Sequence, residues 1–150
     1  MSAELLKDNA TVKWLESSVV LFTLIGGILS ILHPELYSLG IDALRKLWHS
    51  SEDSDNPQRL REILSIWYTP FSAVSVISNR TTPLHRDTYG RPEWLDILVA
   101  LGKYEHGRIS FPGLGFDYKY NSGTIVAFPG KIFQHGAECE GDRACIAFYM

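Results

Sequence analysis

Apolar residues in the first 70 positions recur at helical spacing, and those after Pro70 alternate every second residue. Leu5, Leu6, Val12 and Leu15 mark the apolar side of a helix over residues 3–17. The stretch Val19–Leu32 is 14 residues long and carries no charge. Its first part, 19–25, is rich in β-branched and aromatic residues and fits a strand that Gly26-Gly27 would break. One continuous helix to Leu32 fits the same pattern, and in either form the stretch is expected to be buried core. His33-Pro34 opens a further helix, with Leu36, Leu39, Ala43, Leu44 and Leu47 at helical spacing up to about Trp48. Residues 49–57 form a polar, exposed connector, and 58–67 a shorter helix.

After Pro70 the pattern predicts about eight short strands, at 71–78, 84–87, 95–101, 108–111, 116–120, 124–128, 131–135 and 143–149. The joints between them carry turn residues, among them Gly90-Arg91-Pro92, Pro112-Gly113, Asn121-Ser122-Gly123, Pro129-Gly130 and Glu140-Gly141-Asp142. Helices first and strands afterwards predict an α+β fold with a closed or double-sheet β core. At 150 residues the chain is expected to form one domain, with 1–69 as mainly helical support and 70–150 as the β core that carries the site.

Composition narrows the classes. Hydrophobic residues make up 45% and charged residues 21%, which is enough apolar material for a packed core and argues against global disorder. A net charge of −3 does not point to a nucleic-acid binder. The charge is uneven, however: residues 1–70 hold 6 Lys+Arg against 9 Asp+Glu, and residues 71–150 hold 8 against 8. Two cysteines, Cys139 and Cys145, are too few for a disulfide scaffold and fit an intracellular, reducing compartment. The N-terminus lacks the pattern of a signal peptide. The longest apolar run falls short of the ~20 residues that span a bilayer, so no membrane partner is expected.

The candidate chemistry begins at Pro83-Leu84-His85-Arg86-Asp87. His85 and Asp87 are two apart, so on an extended strand both side chains leave from one face. His135, bracketed by Gly130 and Gly136, is 50 residues further on, far enough for intervening strands to fold it back. Two imidazoles and one carboxylate on one face of a metal, with the other face open, form the ligand set of non-haem Fe(II) oxygenases. Without His135, the bland reading of His85 and Asp87 as a surface polar pair would win. For His135 alone it would be a satisfied core histidine.

Arg143 opens an apolar strand, where a charge is costly unless an anion pairs with it. A hairpin between 135 and 143 would bring its guanidinium beside the metal, and its planar fork matches a carboxylate. A dicarboxylate cosubstrate answers both features; a salt bridge to Glu138 or Asp142 is the structural alternative. Asn79 and Arg80 either reach the same pocket or cap a turn. Tyr89, Arg91 and Trp94 follow the metal ligands in a loop, where they would contact substrate or simply surround a buried Trp. His33, His49 and His106 lack ligand neighbours, and the cysteine spacing matches neither zinc nor iron–sulfur motifs.

These residues resemble the 2-oxoglutarate/Fe(II) dioxygenases, and the longer runs resemble the fungal TET/JBP-like subgroup. The runs are Asn79-Arg80-Thr81-Thr82-Pro83-Leu84-His85-Arg86-Asp87, continuing to Trp94, and Ser122 to Phe128 with His135-Gly136 and Arg143. His33-Pro34-Glu35-Leu36-Tyr37 fits as well, so the similarity covers most of residues 19–150. The resemblance implies a double-stranded β-helix (jelly-roll) core on which the N-terminal helices pack. It implies Fe(II) bound by His85, Asp87 and His135, with 2-oxoglutarate and dioxygen as cosubstrates. Arg143 would hold the distal carboxylate of 2-oxoglutarate, and Arg80 with Asn79 its other end. The implied activity is hydroxylation of a methyl group on a DNA base, chiefly 5-methylcytosine, by a monomer acting on methylated DNA in the nucleus. N6-methyladenine demethylation, oxidation of a protein or small molecule, and a non-catalytic jelly-roll binding module are the alternatives. Against the subgroup, the sequence ending at Met150 is expected to lack a C-terminal covering element, and basic extensions that would grip duplex DNA are expected to be missing.

Overall fold

A computed structural model describes residues 9–150, in two compact units divided between Ser72 and Ala73. The first unit is helical: α1 Asn9–Ser17, α2 Val19–Leu32, α3 Pro34–His49 and α4 Pro57–Ser65. The part of the first expected helix over residues 3–8 lies outside the described residues. The strand expected at 19–25 does not form, because α2 is helical throughout. Helical geometry places Phe22, Ile25, Gly26 and Leu29 on one buried side, and that burial outweighs the β preference of Val19, Val20 and Thr23. The opposite side corrects the expectation that this run is all core: Val20, Leu24, Ile31 and Leu32 are exposed. No single described helix is long and apolar enough to cross a membrane.

Local signals set the helix starts. The His33 ring nitrogen Nδ1 accepts the Leu36 N–H at 3.2 Å and Pro34 occupies the first turn, while Asn56 Oδ1 accepts the Arg59 N–H ahead of α4. The connector is less exposed than its polarity implied. Ser51, in a 3-10 turn over Ser50–Asp53, is fully buried and accepts a hydrogen bond from Arg61 Nε at 2.8 Å. The Phe22 ring sits edge-on to Trp14 and Trp67, each at 5.7 Å, and the Trp67 indole donates to the Phe71 carbonyl.

The second unit is an antiparallel sheet of six strands: β1 Ala73–Ser78, β2 Thr82–His85, β3 Asp96–Phe111, β4 Phe116–Lys119, β5 Ile125–Phe128 and β6 His135–Tyr149. Fewer strands form than the pattern implied, for three physical reasons. The segments at 95–101 and 108–111 join into the single long β3, whose register against β6 shifts between Glu105 and Arg108, where His106 takes a positive φ of 51°. Glu140-Gly141-Asp142, expected as a turn, lies inside β6; Gly141, with φ of 110°, lets the strand bend there without ending. The expected strand at 131–135 is a turn as far as residue 134, in which the Ile132 and Phe133 N–H groups both bond the Pro129 carbonyl.

Because β3 and β6 run alongside each other along most of their length, each end of the pair recruits its own neighbours. At one end the order is β1-β6-β3-β5, and at the other β2-β6-β3-β4. Side chains from both ends meet in one apolar cluster of Ala100, Phe128, Ile109, Phe111 and Tyr120, with Leu98, Val126 and Ala137 packed against it. Gly102, paired opposite Arg143, has φ of 129°, and any side chain there would run into the Asp142 carbonyl. Gly102→Ala is therefore expected to destabilise the protein by about 2 kcal/mol or more, read as a fall in the urea midpoint at unchanged m-value.

Candidate metal centre

Two strands and one loop build the site. The register pairs His85 of β2 directly with His135 of β6, so the two imidazoles are cross-strand neighbours with ring centroids 4.3 Å apart. Asp87 does not share the strand with His85 as expected, since β2 ends at His85. The loop holds it instead: the Asp87 N–H bonds the Gly130 carbonyl at 3.0 Å, Arg86 Nε bonds the Ile132 carbonyl, and Lys131 Nζ bonds the Thr88 carbonyl. These three bonds staple residues 86–88 to the turn before β6.

The three side chains converge. His85 Nε2 lies 3.4 Å from Asp87 Oδ1, and His135 Nε2 lies 3.9 Å from Asp87 Oδ2, with one donor atom from each residue inside a 4.8 Å span. Neighbouring ligands of an octahedral centre with bonds of about 2.1 Å stand about 3 Å apart, so the observed gaps are close to what a divalent ion needs. Each imidazole has its other nitrogen tied to a backbone carbonyl: His85 Nδ1 to Pro83 at 2.9 Å and His135 Nδ1 to Phe133 at 3.0 Å. That arrangement turns both Nε2 atoms toward Asp87, as ligating histidines require. Burial is the main reason that the His135 pKa falls below its ordinary value, which favours the neutral form a ligand must have.

Arg143 lies on the same strand as His135, and no hairpin separates them. Side chains at 135, 137, 143, 145 and 149 alternate onto one face of β6, and all five line a cavity of about 50 Å³ with His85, Asp87 and Tyr120. Arg143 is only 2% exposed. Its Nη2 donates to the Arg80 carbonyl at 2.6 Å and its guanidinium sits 5.7 Å from the centre of the Tyr120 ring. Its Nε and Nη1 are buried and have no hydrogen-bond partner among the described residues. Neither Glu138 nor Asp142 pairs with it; Asp142 accepts from Asn79 Nδ2 instead. A buried cation with two orphaned donors is costly, and a carboxylate offered from the cavity would satisfy it.

Asn79 and Arg80 stand behind Arg143 and do not line that cavity. Asn79 exchanges bonds with the Arg143 backbone, its N–H to the Arg143 carbonyl at 2.7 Å and its Oδ1 from the Arg143 N–H at 2.8 Å. Tyr89 and Trp94 line a second cavity, of about 390 Å³, with Asp87, Asp96 and Tyr149. Arg91 leans over the Trp94 ring at 5.5 Å and approaches Glu93.

Asp96 escaped the sequence reasoning, which took Gly130 only as a turn residue flanking the expected His135 strand. Burial, then the Asp87 charge and a hydrogen bond to that carboxyl, push the Asp96 pKa up to about 7; the Gly130 N–H opposes them. The available signal was an acidic residue opening the apolar run Ile97-Leu98-Val99-Ala100, the same cost argument that singled out Arg143. Gly130 leaves room for both carboxyls: a Cβ there would collide with Asp87 Oδ2 and Asp96 Oδ2.

The family model Tet/JBP, described as the oxygenase domain of the 2OGFeDO superfamily, matches residues 3–150. No curated protein sequence matches the chain significantly. Among solved structures, NgTET1 in complex with 5mC DNA is similar with a TM-score of 0.62 at 15% identity, over 99% of this chain. The chain spans about half, 53%, of the length of that structure's chain. Gly130→Ala, at a position that supplies no ligand atom, is expected to weaken Mn(II) binding about ten-fold or more by displacing Asp87, measured by calorimetric titration.

Proposed function

Because this chain belongs to the Tet/JBP family of 2-oxoglutarate- and Fe(II)-dependent dioxygenases, we propose that it hydroxylates a methyl group on a DNA base, with 5-methylcytosine as the first substrate to test. The family uses Fe(II), 2-oxoglutarate and dioxygen. The observation that carries the reading is one cavity lined by two imidazoles, a carboxylate and a buried guanidinium with two free donors. The donor set suits Fe(II), with His85, Asp87 and His135 as its ligands. When bound, the iron supplies the redox chemistry that couples decarboxylation of 2-oxoglutarate to succinate with insertion of one oxygen atom into a C–H bond.

The chain's own residues would bind, orient and keep water out. Arg143 would clasp the far carboxylate of 2-oxoglutarate through Nε and Nη1 while the Arg80 carbonyl holds its third nitrogen still. Asn79 fixes the backbone on which that guanidinium stands. Ile77, Leu98, Ile109 and Ala137 would give the cavity a dry lining. At about 50 Å³ the cavity is narrower than a five-carbon diacid, so its walls must part when the cosubstrate enters.

The strand orders β1-β6-β3-β5 and β2-β6-β3-β4, with one apolar cluster shared between them, support a double-stranded β-helix. Support for DNA comes from the 5mC DNA complex of the similar NgTET1 structure and from three cations: Arg86 beside Asp87, Arg91 on the loop after it and Lys131 bonded to that loop. Phosphates attract such a cluster. A base inside a duplex would have to be flipped out, at a cost of a few kcal/mol.

With Fe(II) and 2-oxoglutarate, DNA carrying both 5-methylcytosine and N6-methyladenine is expected to yield oxidised nucleosides by mass spectrometry and stoichiometric succinate. Succinate formation with no change in any base, while a peptide or small molecule is oxidised, eliminates the DNA assignment. Arg143→Lys keeps the charge and loses the fork. It is expected to raise the KM for 2-oxoglutarate about ten-fold or more with a smaller change in kcat.

A further inference from the structure

We propose that the open groove between β4 and β5 binds an amphipathic monocarboxylate, an apolar chain or ring system ending in one carboxylate. We propose further that its occupancy is felt at the candidate metal centre, through two phenylalanines that both the groove and His135 touch. The inference does not depend on the DNA reading above, because the groove carries none of the residues assigned there.

Each of the two strands pairs with β3 and with no other described strand, so one edge of each is left free. Between them lies a groove of about 450 Å³, and all four residues of β5 line it. Side chains of a strand alternate between faces, so a groove that meets four in succession runs along the strand's edge. Phe111 and Phe128, both buried and with ring centroids 4.9 Å apart, form its floor. Its walls include Leu114, Phe116 and Tyr118, which are 43%, 50% and 50% exposed. Apolar groups gathered in one open place gain by being covered. The volume falls inside the range of about 300–1,000 Å³ typical of small-ligand sites, which are likewise mostly apolar and aromatic. The groove shares no lining residue with either cavity beside Asp87.

Charge decides which apolar ligand fits. Lys119 is the only charged residue that lines the groove, and its ammonium makes no ion pair or hydrogen bond among the described residues. The register places Arg108 directly opposite it on β3, and that guanidinium is unpaired as well. The nearest carboxylates in the register, Glu138 across from Arg108 and Asp117 two residues before Lys119, pair with neither. Like charges face to face on adjacent strands repel, and an anion placed against them relieves the repulsion. A carboxylate at that end, with an apolar remainder along the rings, answers both features; a cation or a bare hydrocarbon answers at most one. The His135 ring lies 4.6 Å from that of Phe128 and 6.3 Å from that of Phe111. A ligand packed on those two rings restrains the imidazole they touch, and a ligating side chain already ordered costs less to fix when metal arrives.

The probe is dodecanoate, with dodecyltrimethylammonium as a cation of matched chain length, titrated calorimetrically into the full chain below the micellar range of each. Dodecanoate is expected to bind saturably, one per chain, and at least about ten-fold more tightly than the cation. Lys119→Glu, at an exposed position that threatens folding little, is expected to reverse that order. Phe116→Asp is expected to weaken dodecanoate by about five-fold or more. Arg143→Lys is expected to leave dodecanoate binding unchanged. With the groove saturated, Mn(II) is expected to bind about three-fold or more tightly, and this gain disappears in Lys119→Glu. Absence of saturable binding, equal affinity for the two amphiphiles, or an order that Lys119→Glu leaves intact overturns the site. A loss of dodecanoate binding in Arg143→Lys places the ligand in the other cavity and overturns it too. Unchanged Mn(II) affinity at saturation overturns the link to the metal centre. A failure to oxidise DNA moves none of these measurements, so the two readings fail separately.

Discussion

The register of β6 is the constraint on which the rest depends. That single strand supplies His135 to the candidate metal centre, the buried guanidinium of Arg143 to the same cavity and Tyr149 to the lining of both cavities. It is held on one side by β2 and β1 and on the other by β3. A slip of one residue would turn all three side chains to the opposite face and bring Gly136 opposite His85. The slip is opposed by the apolar partners that alternate with the functional residues: Ile146 and Phe148 are both buried. The hydrophobic core and the site therefore share one specification.

Charge is the second constraint. The cavity collects a carboxylate, a guanidinium and two imidazoles, and beside it stands a second carboxylate, Asp96. Without a cation, Asp87 and Asp96 repel, and the pair is tolerated because burial and a shared hydrogen bond keep Asp96 protonated further up the pH scale. The arrangement stores an unmet demand of each sign: a cation wanted among the three ligands and an anion wanted at the guanidinium. A metal held by His85, Asp87 and His135 together with a diacid held by Arg143 would answer both at once, and His135 and Arg143 share one strand face.

Much of this was legible in the chain. The alternation after Pro70, the nearness of His85 and Asp87 and the cost of a charged Arg143 among apolar residues follow from local pattern and elementary electrostatics, although Asp87 lies in a loop rather than on the strand of His85 and Arg143 lies inside β6 rather than at its head. Illegible features were those in which one residue type has two uses. Glycines read as breaks turned out to be bends inside β6, because Gly141 supplies a positive φ without releasing the ladder. The β-branched run in α2 was ambiguous because propensity at 19–25 is weaker than the burial offered by Phe22, Ile25 and Leu29 in a helix. Asp96 was missed because an acidic residue at a strand end is ordinarily solvated; only the turn at Pro129-Gly130 brings it against Asp87.

Gly130 shows how tightly the two ends of the chemistry are joined. Its carbonyl accepts from Asp87, its N–H donates to Asp96, and its missing side chain is the space both carboxyls occupy. A larger residue would separate the metal ligand from the group that lines the second cavity. Because a single backbone position contacts both, the spacing of the two carboxyls is tied to one peptide unit. A peptide unit has little freedom to vary. An oxygenase site gains more from that rigidity than from any additional contact.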